Sequence, residues 1–237
     1  PKLLVRMHDA TLQGKGSYGL DSQAAQADLN LTLPGAKALL QGSMAPASGQ
    51  GQLQAQVLDL QKTSQWVQQW PGMAALRQQR LTGAARLDAT WRGGWQNSGQ
   101  GMQVNARLNA PAITVRAAAP AHAPPTVIQQ TLLGVQGTLA DARITAESRV
   151  QQGNRALQLT LQGRGGKRPN GWQAQLQTTQ LQLHDTLQNQ RWQAALAAPA
   201  TITLAQSGNT LRATTSALRI DLSGGQPGRA RLLAEPI

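Results

Sequence analysis

Apolar and polar residues alternate over most of this chain. Ala25, Ala27, Leu29, Leu31 and Leu33 are separated by Gln26, Asp28, Asn30 and Thr32. Leu81, Gly83, Ala85, Leu87, Ala89 and Trp91 enclose Thr82, Arg86, Asp88 and Thr90. The same period returns at Met102, Val104, Ala106 and Leu108, and at Ala142, Ile144 and Ala146. A repeat of two sends every apolar side chain to one face of a strand and every polar one to the other. The pattern predicts a chain that is mainly sheet, with one greasy and one wet face. Gln50, Gln52, Gln54 and Gln56 fall on the wet side, against Gly51, Leu53, Ala55 and Val57 on the other.

One stretch breaks the period. Between Asp59 and Gln79 the spacing turns helical, with Trp66, Val67 and Trp70 on one face. Thr63 or Ser64 is placed to cap the start, Pro71-Gly72 interrupts, and a second short turn follows from Met73 to Gln79. The expectation is a short helical insert near 61–79 that packs into the core or plugs one rim of the sheet. Elsewhere the chain is punctuated by Leu/Val-x-Gly triplets ending at Gly14, Gly42, Gly83, Gly137 and Gly163, at irregular spacing. A glycine within a strand pattern marks a bulge, a bend or a close backbone approach, so these positions would let a long sheet curl. Pro34-Gly35 and the stretches 44–51, 118–125 and 163–171 read as turns and loops. The 118–125 stretch divides the sheet into a first part, 1–120, and a second, 121–237, of one continuous body.

Composition sharpens this picture. The 237 residues include no Phe, one Tyr and six Trp, so the apolar face is built mainly from Leu and Ala. Such a face is smooth and shallow, better suited to a featureless apolar ligand than to interlocking packing. The net charge of +12 comes largely from single arginines at polar strand positions: Arg86, Arg107, Arg116, Arg143, Arg149, Arg212 and Arg219. This dispersed charge fits a solvated face that discourages edge-to-edge pairing, or attraction to anionic headgroups. It does not fit nucleic-acid binding, which concentrates charge and interleaves aromatics; only Arg164, Lys167 and Arg168 cluster, with no aromatic before Trp172. There is no cysteine, hence no disulfide or thiolate metal site. No apolar run is long enough to span a bilayer and no signal peptide is visible. The chain opens at Pro1, already in strand-like sequence, which suggests a piece of something longer with an anchor upstream.

Catalytic constellations do not emerge. His8 and His184 have Asp9 and Asp185 beside them, but neighbours on a strand face opposite ways, and His122 has no such partner. No zinc-helix motif or nucleophile elbow occurs. Gly14-Lys15-Gly16-Ser17 lacks the spacing of a phosphate loop and reads as a turn. Acidic residues do not pair closely, so the expectation is a protein that is not an enzyme and uses no cofactor or metal.

Two runs carry a resemblance. One comprises Gly171-Trp172-Gln173-Ala174-Gln175-Leu176, Leu181-Gln182-Leu183, Arg191-Trp192-Gln193-Ala194-Ala195-Leu196, Pro199-Ala200, Leu211 and Ala217-Leu218-Arg219-Ile220. The other runs from Val57 to Leu87, with a Trp-x-x-x-Trp-Pro-Gly-Met segment followed by Leu81-Thr82-Gly83-Ala84-Ala85-Arg86-Leu87-Asp88-Ala89-Thr90-Trp91. Together they resemble the TamB family, the inner-membrane-anchored subunit of the translocation and assembly module, and its AsmA-like relatives. The resemblance implies a long, taco-like curled sheet, antiparallel or mixed, with an apolar inner groove, in the periplasm of a Gram-negative bacterium. It implies an inner-membrane anchor outside this stretch and the outer-membrane barrel protein TamA as partner. It further implies phospholipid transport between membranes, with acyl chains as the bound species, or support of outer-membrane and autotransporter assembly. The residues expected to line the groove are Leu29, Leu31, Leu33, Leu53, Val57, Leu87, Val104, Leu108, Ile144, Leu159, Leu161, Leu176, Ile202 and Leu204. Two alternatives remain open: a strand-donating assembly factor without lipid transport, and a passive β-rich adhesin or stalk with a dry core.

Overall fold

The computed structural model describes residues 2–70, 72–73, 78–117, 124–207, 210–224 and 229–234. They form a single 16-stranded sheet, antiparallel at every pairing. The strands are β1 (Lys2–Met7), β2 (Ala10–Gly19), β3 (Ala24–Leu33), β4 (Ala36–Met44), β5 (Gly49–Val57), β6 (Gln79–Arg92), β7 (Gln103–Ala117) and β8 (Thr126–Thr138). Then come β9 (Asp141–Gln152), β10 (Arg155–Arg168), β11 (Gly171–Asp185), β12 (Gln190–Leu196), β13 (Ala200–Ser207), β14 (Thr210–Thr215), β15 (Leu218–Gly224) and β16 (Arg229–Ala234). One helix, α1 (Leu60–Val67), lies between β5 and β6.

From β1 to β11 each strand pairs with its neighbours in sequence, an up-and-down meander. The last strands keep that order in broken form. β12 lies along the second half of β11 and β13 along the first half, in one direction, so they act as a single strand interrupted at Ala197–Pro199. Pro199 has no amide hydrogen to offer the ladder. β14 and β15 lie beside them as a second interrupted strand. The Ser216 hydroxyl repairs the break by accepting from the Thr201 amide at 2.9 Å, while the Ser216 amide donates to the Thr201 carbonyl at 2.8 Å. The sheet also crosses the 118–125 stretch without interruption, because β7 and β8 pair from Gln103↔Thr138 to Val115↔Thr126.

The sheet is open and curled, and nothing among the described residues is laid across it. Every substantial contact between elements joins sheet neighbours, apart from α1 against β6 and a short turn near Gln96 against β10. No large side chain among the described residues is fully buried. The accessible surface is 15823 Å², against about 10,300 Å² for a compact monomer of 25.1 kDa. Curvature comes from register shifts at Ala84/Arg86, Gln129/Leu132 and Gln162/Gly163. It also comes from the triplet glycines. Gly42 at φ 149° and Gly83 at φ 133° hold backbone conformations that a side chain would strain, and Gly163 sits at a register shift.

Several local expectations are corrected. Gly14–Ser17 is not a turn but the middle of β2. The 163–171 stretch is mostly strand: β10 runs on to Arg168, because Gly163, Gly165 and Gly166 are buried where neighbouring chains pass too close for side chains. His8 and Asp9 form the β1–β2 turn, at φ 46° and 63°, rather than strand. α1 begins before Thr63, with Asp59 as its cap: the carboxylate accepts from the Lys62 amide at 3.1 Å. Trp70 lies past the end of α1, in a turn in which its amide donates to the Val67 carbonyl. The second turn expected at Met73–Gln79 falls largely on 74–77, outside the described residues.

Candidate functional site

The strand registers place side chains in rows that run across the strands. One row passes through Leu3, Gly14, Leu29, Leu40, Leu53, Ala89, Ala106, Val135, Ile144, Gly163, Leu176 and Ala200. The next runs through Val5, Leu12, Leu31, Ala38, Ala55, Leu87, Leu108, Leu133, Ala146 and Leu161 to Thr179. A third passes through Gly16, Ala27, Gly42, Gly51, Trp91, Val104, Gly137, Ala142, Gly165, Ala174 and Ile202. Leu33 and Val57 flank Ala36 on this same face; Leu159 stands opposite Leu181, and Leu204 opposite Trp172. All the residues named for the groove therefore share one surface. At about 4.8 Å per strand, the longest row extends roughly 50 Å.

This surface is apolar and only half covered. Leu133 is 43%, Trp172 48% and Ile202 40% exposed. Soluble proteins seldom leave so continuous an apolar surface open without something to bind. A hollow of about 300 Å³ on it lies between Val104, Val135, Ile144, Trp172, Ile202 and Leu204. The row through Leu31 ends in a polar note, since the Thr179 hydroxyl is buried with no hydrogen-bond partner.

Sequence reasoning missed Leu40, Leu133, Val135, Leu157, Leu181 and Leu183, which lie on the same face by register. Leu40 was legible, because it opens the Leu-x-Gly triplet of β4. Trp91 was also missed. Its indole lies over Gly42 and Gly51, so close that a Cβ on Gly51 would stand 2.2 Å from the ring, and Nε1 donates to the Ser43 carbonyl at 3.0 Å. The two glycines facing one tryptophan across adjacent strands were the signal.

The opposite face is mostly polar, with Leu39, Val127 and Leu132 as apolar exceptions. Arg86, Arg107, Arg116, Arg143, Arg149, Arg212 and Arg219 all lie on it. Gln52 donates to Gln41 and Gln41 to Asp28 at 3.1 and 3.2 Å, a ladder across β3, β4 and β5. The Arg86 guanidinium, 2.6 Å from Asp88, holds that carboxyl below its ordinary range and is itself pushed up by it. At the β11–β12 turn the Gln188 amide lowers the Asp185 carboxyl, helped by Arg155 at 3.3 Å and the Leu187 amide.

α1 closes one margin of the sheet. Thr63 donates to the Pro34 carbonyl at 3.0 Å, and the Trp66 indole donates to the His8 carbonyl. Trp70 meets Trp66 edge to face, centroids 5.4 Å apart. Val67 completes the last turn of the helix. Thr63 and Trp66 thus tie the insert to the rim, with Trp70 packed on Trp66. Among the described residues no three His, Asp or Glu side chains gather to hold a metal, and no helix is long and apolar enough to cross a membrane. Compared with models of protein families, with curated proteins and with solved structures, the chain finds no match.

Proposed function

We propose that the uncovered apolar face is a track for phospholipid acyl chains, in a periplasmic bridge of the TamB or AsmA-like kind between the inner and outer membranes. The single observation that carries this reading is the continuity of the apolar rows across the strands, with no element among the described residues laid over them. An acyl chain of roughly sixteen carbons, at ~0.8 kcal/mol per buried CH₂, gains ~13 kcal/mol of gross transfer free energy on such a face. Loss of chain freedom offsets part of that. A Leu and Ala surface with shallow hollows holds lipid without locking it, which suits movement along the rows. On this reading the protein binds rather than catalyses, an inner-membrane anchor lies outside the given stretch, and a TamA-like barrel receives the outer end.

A photo-crosslinking residue at Leu31 or Leu108 in cells tests it. Phospholipid adducts are expected there and not at Arg107, on the opposite face; adducts at Arg107 alone would reject the assignment. Mass spectrometry of the natively purified protein should find co-eluting phospholipid. Leu31→Arg should impair the envelope more than Asn30→Arg, its neighbour on the wet face, and equal tolerance counts against a track.

A second reading rests on β1. Among the described residues Lys2–Met7 pairs only with β2, and Leu3, Leu4 and Val5 form its centre. Such an edge offers backbone groups to another strand, as an assembly factor for outer-membrane β-proteins would. Crosslinks from Leu4 to a client polypeptide, with none to lipid from Leu31, would favour it.

A further inference from the structure

The polar face has a basin of its own, distinct from the apolar track and independent of what that track carries. It holds about 720 Å³ and lies over β9, β10, β11 and β12, near the turns at 153–154 and 186–189. The registers explain it. Gln158 of β10 sits between Arg149 of β9 and Gln182 of β11, and Ala156 sits between Gln151 and His184, which in turn faces Arg191 of β12. Ala156 is a short side chain flanked by the long Gln151, Gln158 and His184, so the surface sinks above it. The rim carries a guanidinium at each end, Arg149 on one side and Arg191 on the other, with the His184 imidazole beside Arg191. Among the described residues no carboxylate lines the basin, and neither arginine has an acidic partner. Asp185, the nearest acid in sequence, is held by Arg155 and by two amides of its own turn. Glu147 and Asp221 share the face but lie outside the basin.

We infer that this basin binds a saccharide of about two rings that carries an anionic group at each end. The strands bearing Arg149 and Arg191 are three inter-strand steps apart, about 14 Å, too far for one small anion and matched to a disaccharide. Guanidinium groups make forked, charge-assisted hydrogen bonds to phosphate or carboxylate. Between them, Gln158 and Gln182 offer amide donors and acceptors, the combination that pairs with sugar hydroxyls. Such a headgroup exists both as a free saccharide and as the exposed part of a glycolipid.

Calorimetric titration with a disaccharide phosphorylated on both rings, with the same disaccharide unphosphorylated and with inorganic phosphate tests the inference. The bisphosphate should bind, and both controls should bind at least about tenfold more weakly. Arg149→Gln and Arg191→Gln should each weaken it about tenfold, whereas Arg92→Gln, the same charge change on the same face outside the basin, should change it less than about twofold. Ala156→Trp keeps the net charge and fills the floor, so it should abolish binding; circular dichroism checks that the sheet is intact, and Ala156→Leu, with a smaller loss, stands in if it is not. Equal losses in Arg92→Gln, full binding in the filled variant, or phosphate binding as tightly as the bisphosphate would overturn the proposal. Vesicles that display the bisphosphorylated disaccharide on a lipid anchor separate the sources: undiminished binding assigns the site to a glycolipid headgroup, and loss on the vesicle assigns it to the free saccharide.

Discussion

The two margins of the sheet are finished by different means. Along one, side chains and an inserted helix add to the backbone bonds between turns: the Leu58 and Asp59 amides donate to Gly35, Thr63 reaches Pro34, Trp66 reaches His8, and Thr186 donates through both its amide and hydroxyl to the Asn154 carbonyl. Along the other, turns are joined backbone to backbone. The Gly93 amide donates to Gly49, Gln96 to Pro46, Leu139 to Met102 and Lys167 to Leu139. Glycine makes that lacing possible. A Cβ on Gly94 would lie 2.0 Å from the Pro46 carbonyl oxygen, and one on Gly166 would lie 2.2 Å from Ala140. At Gly94 and Gly166 the laced margin has no room for a side chain. The helical margin loses only what each side chain supplies, because its anchors are separate.

The comparison breaks most readily at Gly94. Gly94→Val should destabilise the protein by about 3 kcal/mol, since carbonyl groups cannot move aside as a flexible side chain can; a urea transition unchanged from the parent would show that the turns are not interlocked. Trp66→Ala should cost about 2 kcal/mol through lost ring contacts and an indole hydrogen bond, with faster amide exchange in β1 and β2 and little change near Gln96. Thr63→Val should cost about 1 kcal/mol by leaving the Pro34 carbonyl without that donor, read as a small shift of the same transition. The smallest effect is at Asp185. Its carboxyl titrates below its ordinary range in the folded protein, so its contribution is present above that range and is lost as the pH falls through the lowered value. Protection of the Leu187 and Gln188 amides, measured against their intrinsic exchange at each pH, should fall on acidification, and Asp185→Asn should remove most of that pH dependence.

How much of this was legible follows from how local each determinant is. The division into faces was, because period two needs only the chain itself: Leu29, Leu87 and Ile144 were assigned to a common side without knowledge of which strands pair. The extent of β2 and β10 was not. Gly14 and Gly163 read as breakers, yet their glycines answer to backbones on neighbouring strands, Asp28 and Gln175, which sequence does not place. The helix was recognised but its start was misplaced, since Asp59 caps through a carboxylate that follows directly on β5. The polar basin was invisible: Ala156 looks like any small strand residue until Arg149, His184 and Arg191 are brought around it by register.

Because each strand from β2 to β12 adds to the one before it, most of the ribbon can be assembled in the order it is synthesised. Each new hairpin finds its template already in place, and no strand waits for a distant partner to close the structure. Such an architecture has no intrinsic size. Inserting or deleting a pair of strands changes its reach by about 10 Å without disturbing a core, so its length can drift in steps that leave the remaining strands as they were.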